Sequence, residues 1–225
     1  MTTTPSPESL VDTRAMNTIH TFFRREFRLA GGVVRCVPAG DRARAEVVAD
    51  HLAFLTLALH HHHTTEDDYL WPLLLERVPE ELAPIVHLME SQHARVDGLI
   101  EEIDDLTPRL RDTADPEVRD RLADLVDTLY VHLAEHLDAE EQRLLPIAAR
   151  TLSQAEWNRL GEIGRTTAPK GRGLLVMGMF LHDGGPDGPA LMLAEAPRPV
   201  RWLVPKLARR TFRQYAVRVH GTPTP

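Results

Sequence analysis

Residues 62–72 read HHTTEDDYLWP, and residues 136–146 read HLDAEEQRLLP. In both segments a histidine and a glutamate lie four residues apart, and a proline follows the glutamate by six. Both segments belong to longer stretches whose apolar residues recur every three to four positions, which is the periodicity of an amphipathic helix. The repetition therefore predicts two helices that present the same side chains at matching places.

The spacing within each segment determines which side chains share a face. Four residues on a helix span about 400° of rotation and about 6 Å of rise. His62 and Glu66 therefore lie on one face, one turn apart, and so do His136 and Glu140. If the two helices face each other, the pairs form a mixed nitrogen and carboxylate site. Histidine and carboxylate ligands are more typical of iron sites than of sites for metals that prefer thiolate. Zinc and manganese are the alternatives to iron.

Four long segments show helical periodicity, at about residues 9–30, 41–77, 80–113 and 116–149. The breaks between them carry Gly31-Gly32, then Pro79, then Asp115-Pro116, where the aspartate can cap a helix and the proline occupies its first position. Short second and third connections make successive helices antiparallel neighbours. The sequence thus predicts an all-α protein built on an up-down four-helix bundle.

Bundle geometry indicates which other histidines lie level with the two pairs. Glu66 lies 13 residues before Pro79, so the residue level with it lies near position 92, next to His93. His93 and His136 are equally far from the turn near residues 114–115. His20 reaches the same level if residues 31–40 form an extended connection that climbs about 16 Å.

Six residues are therefore candidate metal ligands: His20, His62, Glu66, His93, His136 and Glu140. A single histidine on an apolar stripe is more often a hydrogen-bonded core residue. Two glutamates and four histidines at one level differ, because burying them without a metal carries a penalty of several kcal/mol per charge. His63 is a candidate substitute ligand. Glu90 and His132, each one turn from a predicted ligand, are either extra ligands or partners of ligands.

The remaining histidines are assigned simpler roles. His60 and His61 are expected to point away from the site or to support it from outside. The other four are assigned to ordinary surface or packing positions: His51, His87, His182 and His220.

Composition restricts the class of protein. The 225-residue chain is 43% hydrophobic, which is enough for an ordinary core, and its net charge of −7 argues against general nucleic-acid binding. No stretch approaches the ~20 apolar residues of a membrane span, and the N-terminus lacks the features of a signal peptide. The single cysteine, Cys36, can form no internal disulfide. We therefore expect a cytoplasmic protein without a membrane span.

The charge is unevenly distributed, which predicts two regions. Residues 151–225 carry a net +6 and residues 1–150 a net −13. We assign residues 1–150 to the metal-binding bundle and residues 151–225 to an extension packed on it. Ser153 and Glu156 form a capping-box signature for a short helix. Further on lie two apolar runs and a basic, aromatic helical segment that is a candidate contact for a protein partner, at residues 174–181, 190–194 and 202–219.

With these features the chain resembles the hemerythrin HHE cation-binding family, and residues 62–72 look like the signature of its actinobacterial members. The resemblance covers about residues 10–150. It implies two non-haem iron ions bridged by carboxylates and held by the six candidate ligands. Members of this family carry oxygen, sense oxygen, nitric oxide or iron, or react with peroxide or nitric oxide. The resemblance therefore leaves the function open.

The chain departs from the oxygen-carrying hemerythrins at two positions. Met89 stands four residues before His93, where carriers have a second histidine, and Glu141 stands five residues after His136, where they have an aspartate. With Met89 in that place, both irons are expected to stay open to small molecules. This favours reaction with hydrogen peroxide, oxygen or nitric oxide over oxygen carriage. The alternatives are a metal- or redox-sensing interaction module without turnover, and iron storage.

Overall fold

The computed structural model describes residues 10–167, 171–184 and 197–225, and within these ranges it contains helices and turns but no strand. The predicted all-α class is confirmed. The helical elements, in chain order, are α1 (Arg14–Arg35), α2 (Arg42–Thr65), a first π-helical turn (Glu66–Leu70), α3 (Trp71–Arg77), α4 (Pro79–Thr113), α5 (Pro116–Ala139), a second π-helical turn (Glu140–Leu144), α6 (Leu145–Thr151), α7 (Gln154–Thr167), α8 (Gly173–Asp183) and α9 (Arg198–His220).

Helices α1, α2, α4 and α5 form the predicted four-helix bundle, in which α1 and α4 pack on α5 and α2 packs on α4. The ends of the helices follow the sequence. The Asp41 side chain accepts a hydrogen bond from the Arg44 backbone N–H, and the Asp115 side chain accepts from the N–H groups of Glu117 and Val118. Ala114 ends α4 in a left-handed conformation, with φ of 47°. These caps keep the connections short and the helices antiparallel.

The first helix begins and ends five residues later than predicted, because it continues through Gly31-Gly32 to Arg35, so the expected extended connection over residues 31–40 was wrong. Gly31 serves close packing: a Cβ atom there would lie 1.9 Å from Asp127 Oδ1 on α5. The connection to α2 is consequently short. His20 lies 15 residues before the end of α1 and His62 lies 20 residues after the start of α2. The remaining difference of five residues corresponds to only about 7.5 Å along the bundle axis.

Two π-helical turns interrupt the second and fourth bundle helices at matching places. Pro72 and Pro146 each lie two residues after the end of a π-helical turn, and each lacks an N–H group and crowds the carbonyl four residues earlier. At each place the helix continues as a wider turn instead of ending, because a backbone N–H donates to the carbonyl five residues earlier. The Trp71 N–H donates to the Glu66 carbonyl, and the Leu145 N–H donates to the Glu140 carbonyl. The prolines therefore place Glu66 and Glu140 each at the start of a wide turn, a feature often found at functional sites.

The apolar core divides into two clusters on either side of the level that carries these glutamates. One cluster lies toward the α1–α2 connection and includes Phe23, Leu59 and Leu133. The other lies toward the π-helical turns and includes Leu70 and Leu144. The polar level between them is thereby shielded from solvent on both sides.

The C-terminal extension packs against the bundle through α8 and α9. Helix α7 begins with the predicted capping box, in which the Ser153 N–H donates to the Glu156 carboxylate at 2.9 Å. Helices α8 and α9 pack closely at Gly178. A Cβ atom on this residue would lie 2.2 Å from the Ala208 carbonyl oxygen. The apolar run at 174–181 lies in α8 and the basic segment 202–219 in α9, whereas the run at 190–194 lies outside the described residues. None of the described helices is long and apolar enough to cross a membrane.

Candidate metal centre

All six predicted ligands lie at one level inside the bundle. Helices α1, α2, α4 and α5 each contribute one histidine, and the two π-helical turns contribute the glutamates. Each residue except His62 is buried, and the His62 side chain retains only 9% of its exposure. With His63 these residues form what we name the central cluster: His20, His62, His63, Glu66, His93, His136 and Glu140.

One half of the central cluster contains two histidines and both glutamates. The nearest ligand atoms of His20, His62, Glu66 and Glu140 all lie within 4.8 Å of one another. His20 Nε2 lies 3.2 Å from Glu140 Oε2, and His62 Nε2 lies 3.4 Å from Glu66 Oε1. Two nitrogens and two carboxylate oxygens thus point toward a common centre.

The other half contains three histidines, His63, His93 and His136, whose ligand atoms also lie within 4.8 Å of one another. The Nε2 atoms of His93 and His136 are 3.2 Å apart. Both glutamates face this half as well, because Glu66 Oε2 lies 3.7 Å from His93 Nε2 and Glu140 Oε2 lies 4.0 Å from His136 Nε2. Each carboxylate therefore stands between the two halves.

His63, which the sequence left as a substitute ligand, joins the three-histidine half. Its ring stacks on that of His93, with centroids 4.0 Å apart. The two other candidates do not join either half. Glu90 is exposed, and His132 Nδ1 lies 3.7 Å from Glu135 outside the cluster. Neighbouring positions on α2 thus supply one histidine to each half.

Many polar atoms of the central cluster lack hydrogen-bond partners. Among the described side chains, the unpartnered buried atoms include both carboxylate oxygens of Glu66 and of Glu140, and Nε2 of His20, His62 and His63. Leaving such groups unsatisfied costs about 1–3 kcal/mol each, and more where the group is charged. Metal ions would satisfy these atoms together, so the donor set fits a metal centre.

Two acids outside the central cluster orient its histidines. His20 Nδ1–H donates to Glu141 Oε1 at 2.8 Å, and His93 Nδ1–H donates to Asp67 Oδ1 at 3.0 Å. Such contacts fix the ring tautomer and leave Nε2 free to bind a metal. Sequence reasoning missed both roles, although a signal existed: in each repeated segment an acid directly follows the glutamate.

These acids are themselves held in place. Arg24 donates to Glu141 Oε1 at 2.6 Å, and the Trp71 indole N–H donates to Asp67 Oδ1 at 2.7 Å. The Arg24 side chain also reaches Asp138. Each half of the central cluster therefore has one histidine supported by an acid that is anchored in turn.

Burial and mutual charge shift the protonation of the metal-free cluster. Burial opposes the charge of His20, but Glu140 and Glu141 outweigh burial and raise the pKa of His20 to about 9. Burial lowers the pKa of His62 to about 3. Burial, together with the charge of Glu140, raises the pKa of Glu66 well above its ordinary value. Cation binding must therefore displace protons from this cluster.

A surface groove of about 440 Å³ lies beside the three-histidine half, lined by residues that include Asp67, Glu90 and His93. It opens between the first π-helical turn, α3 and α4. Because His93 is one of its lining residues, the groove brings solvent-accessible space next to the three-histidine half.

A family model described as the hemerythrin HHE cation binding domain matches residues 11–151. The matched region includes α1 to α6, both π-helical turns and every residue of the central cluster. Neither a curated protein nor a solved structure matches the chain.

Proposed function

Because the chain belongs to the hemerythrin HHE cation-binding family, we propose that its bundle holds two iron ions bridged by carboxylates. Residues 1–150 would form the metal-binding domain and residues 151–225 an extension packed on it. The observation that supports this most is the central cluster, in which Glu66 and Glu140 lie within 4.0 Å of histidines from both groups of donors. The proposed ligands are His20, His62, His63, Glu66, His93, His136 and Glu140.

The donor count makes the two proposed ions unequal. One half of the central cluster has three histidines and the other has two, and Glu66 and Glu140, which lie between the halves, would give carboxylate oxygens to both ions. The sequence-based expectation of two equally open ions assumed that Met89 left a position empty. His63 supplies a nitrogen on that side, so room for a small molecule remains beside His20 and His62.

We propose that this position takes a small oxidant, namely hydrogen peroxide, oxygen or nitric oxide. Two iron ions would supply the electrons for such chemistry. The protein keeps the site dry with the Phe23 ring, 5.2 Å from the ring of His62, and with the apolar clusters on both sides. Glu141 holds the tautomer of His20 that leaves Nε2 available.

The experiment mixes the diferrous protein separately with oxygen, hydrogen peroxide and nitric oxide while visible spectra are recorded. We expect the iron to be oxidised, with consumption of at least one of the three reagents. A spectrum that none of the reagents changes would contradict the proposal. A long-lived oxygen adduct that returns to the colourless diferrous form when oxygen is removed would show that the protein binds oxygen reversibly and does not consume it.

A second candidate function is a sensing or interaction module without turnover, which the outer surface of α9 favours. Trp202 is 66% exposed and Leu203 48% exposed, within a basic helix suited to contacting a protein partner. Replacing both residues by serine would abolish association with a partner and leave iron content unchanged.

Iron storage is the weaker alternative, because the central cluster has donors for only two ions. The cytoplasmic location stays a prediction from the sequence.

A further inference from the structure

A second group of buried ligand atoms joins the bundle to the C-terminal helix. It comprises Glu26 on α1, His51 on α2 and His220 at the end of α9, which we name the outer cluster. The ligand atoms of the three residues lie within 4.8 Å of one another. His51 lies three helical turns before His62, or about 16 Å along α2. The outer cluster is therefore separate from the central cluster.

The distances in the outer cluster fit a small tetrahedral metal ion. His220 Nε2 lies 3.1 Å from Glu26 Oε2, and His51 Nε2 lies 3.5 Å from the same oxygen. The two imidazole rings are nearly perpendicular, with centroids 5.3 Å apart. In a tetrahedral zinc site with bonds of about 2.0–2.1 Å, neighbouring ligand atoms are about 3.3–3.4 Å apart. Both nitrogen–oxygen distances to Glu26 are already close to this spacing.

Two ring nitrogens of the outer cluster have no hydrogen-bond partner, namely His51 Nε2 and His220 Nδ1. His51 Nδ1 lies 2.8 Å from the Tyr215 hydroxyl oxygen, which can accept a hydrogen bond from the Nδ1–H group. Burial lowers the pKa of His51 to about 4, so the ring is neutral near pH 7, as a metal ligand must be. His51 thus has the tautomer support typical of metal-bound histidines.

The charges near the outer cluster leave one negative charge for a cation. Arg25 contacts the other carboxylate oxygen of Glu26 and also forms two hydrogen bonds of 2.9 Å with Asp183. The charges of Arg25 and Asp183 offset each other. Glu26 then faces the two histidines as the compensating anion. The other cations nearby have partners of their own: Arg172 lies over the Phe54 ring, Arg218 lies over the Tyr215 ring, and Arg44 donates to the Arg218 and Val219 carbonyls.

We propose that Glu26, His51 and His220 form a second metal site, which binds zinc or a similar divalent cation and fixes the end of α9 to α1 and α2. Two histidines and one glutamate are a donor set that zinc adopts, with a fourth position available to water. On binding, the proton of His220 moves from Nε2 to the unpartnered Nδ1 of the same ring, so that Nε2 can bind the ion. Glu26 Oε2 exchanges its hydrogen bond with His220 for a bond to the metal. Bundle and extension would then be linked by the ion.

The test adds zinc chloride to the full-length, iron-loaded protein in competition with a chromophoric chelator. We expect one zinc per chain beyond the iron. His220→Gln and Glu26→Gln should abolish this binding, while His87→Gln, which removes an exposed histidine outside both clusters, should leave it unchanged. Tyr215→Phe should weaken zinc binding by about 10–100-fold, because it removes the partner of His51 Nδ1.

Each sample is also checked for helical circular dichroism and iron content, so that a misfolded variant is recognised. X-ray absorption at the zinc edge of the wild-type protein is independent of the variants and should show nitrogen and oxygen neighbours with two imidazoles. No zinc binding by the wild-type protein would overturn the proposal and leave a hydrogen-bonded contact. Equal zinc binding by the wild type and His220→Gln would overturn it too, whatever the fate of the iron.

Discussion

The central and outer clusters both bury histidine and glutamate, but they differ in how the carboxylates are compensated. In the central cluster, neither oxygen of Glu66 or Glu140 has a hydrogen-bond partner. In the outer cluster, Glu26 has a partner on each oxygen, Arg25 on one and His220 on the other. Burial of an unpaired charge is costly, whereas a paired charge can persist. Without metal, the carboxylates of Glu66 and Glu140 keep only weak contacts, of which the 3.2 Å contact of Glu140 with His20 is the shortest, whereas Glu26 keeps a partner on each oxygen. We therefore expect loss of metal to weaken the central cluster more than the outer cluster.

The largest expected effect is loss of iron when a shared carboxylate is removed. Glu140→Ala should reduce iron content from two ions per chain to less than one, because the residue stands between both halves of the central cluster. Metal analysis of protein produced with iron measures this. His60→Ala changes an exposed histidine and serves as control. Equal iron content in the two variants would show that the wrong helix face had been assigned.

A selective effect should follow from His63→Ala, which removes one donor from the three-histidine half only. We expect iron content to fall toward one ion per chain, because the half with His20 and His62 keeps all its donors. His61→Ala is the matched control in the same histidine run, since His61 belongs to neither half. If His63→Ala retains two tightly bound ions, His63 is a neighbour and not a ligand.

A smaller effect should come from the acids that orient the histidines. Glu141→Gln removes the carboxylate that accepts from His20 Nδ1, and we expect iron affinity to fall by about 10–100-fold without loss of the fold. Competition with an iron chelator measures the change. Glu101→Gln, on the exposed side of α4, is the control. An unchanged affinity would mean that the His20 ring is held by packing alone.

The smallest effect concerns the pH dependence of the metal-free protein. Burial lowers the pKa of His62 from 6.5 to about 3 in the folded protein. As the pH drops below 6.5, His62 therefore takes up a proton in the unfolded chain but not in the folded protein, and the free energy of unfolding falls. His20 has its pKa raised from 6.5 to about 9, because Glu140 and Glu141 outweigh burial. The contribution of His20 to the stability of the folded protein is therefore complete below pH 6.5 and is lost as the pH rises through 9.

Thermal unfolding of the metal-free protein between pH 4.5 and 9.5 should thus show maximal stability near pH 6.5. The iron-loaded protein should lose the decline above that pH, because a metal-bound His20 carries no proton to release. In the outer cluster, Glu26 has a pKa of about 2, since contacts with His220 and Arg25 outweigh burial, and its contribution declines only below pH 4.5. A profile that stays flat from pH 6.5 to 9.5 without metal would contradict the assignment for His20.

The sequence predicted the bundle and the level of its ligands because both follow from helical periodicity and turn positions. His20, His93 and His136 lie together for this reason. Periodicity carries no information on how α9 docks, and for that reason the partnership of His51 with His220 was missed. Gly31 misled the prediction of where α1 ends, because a helical glycine at a close approach and a helix-ending glycine look alike in one sequence.

The central claim is that the bundle holds two irons of unequal surroundings, and anomalous diffraction at the iron edge from iron-loaded crystals tests it most directly. We expect two peaks per chain within the central cluster, one next to His63, His93 and His136 and the other next to His20 and His62, with Glu66 and Glu140 between them. A single peak, or a pair in which His63 contacts neither ion, would contradict it.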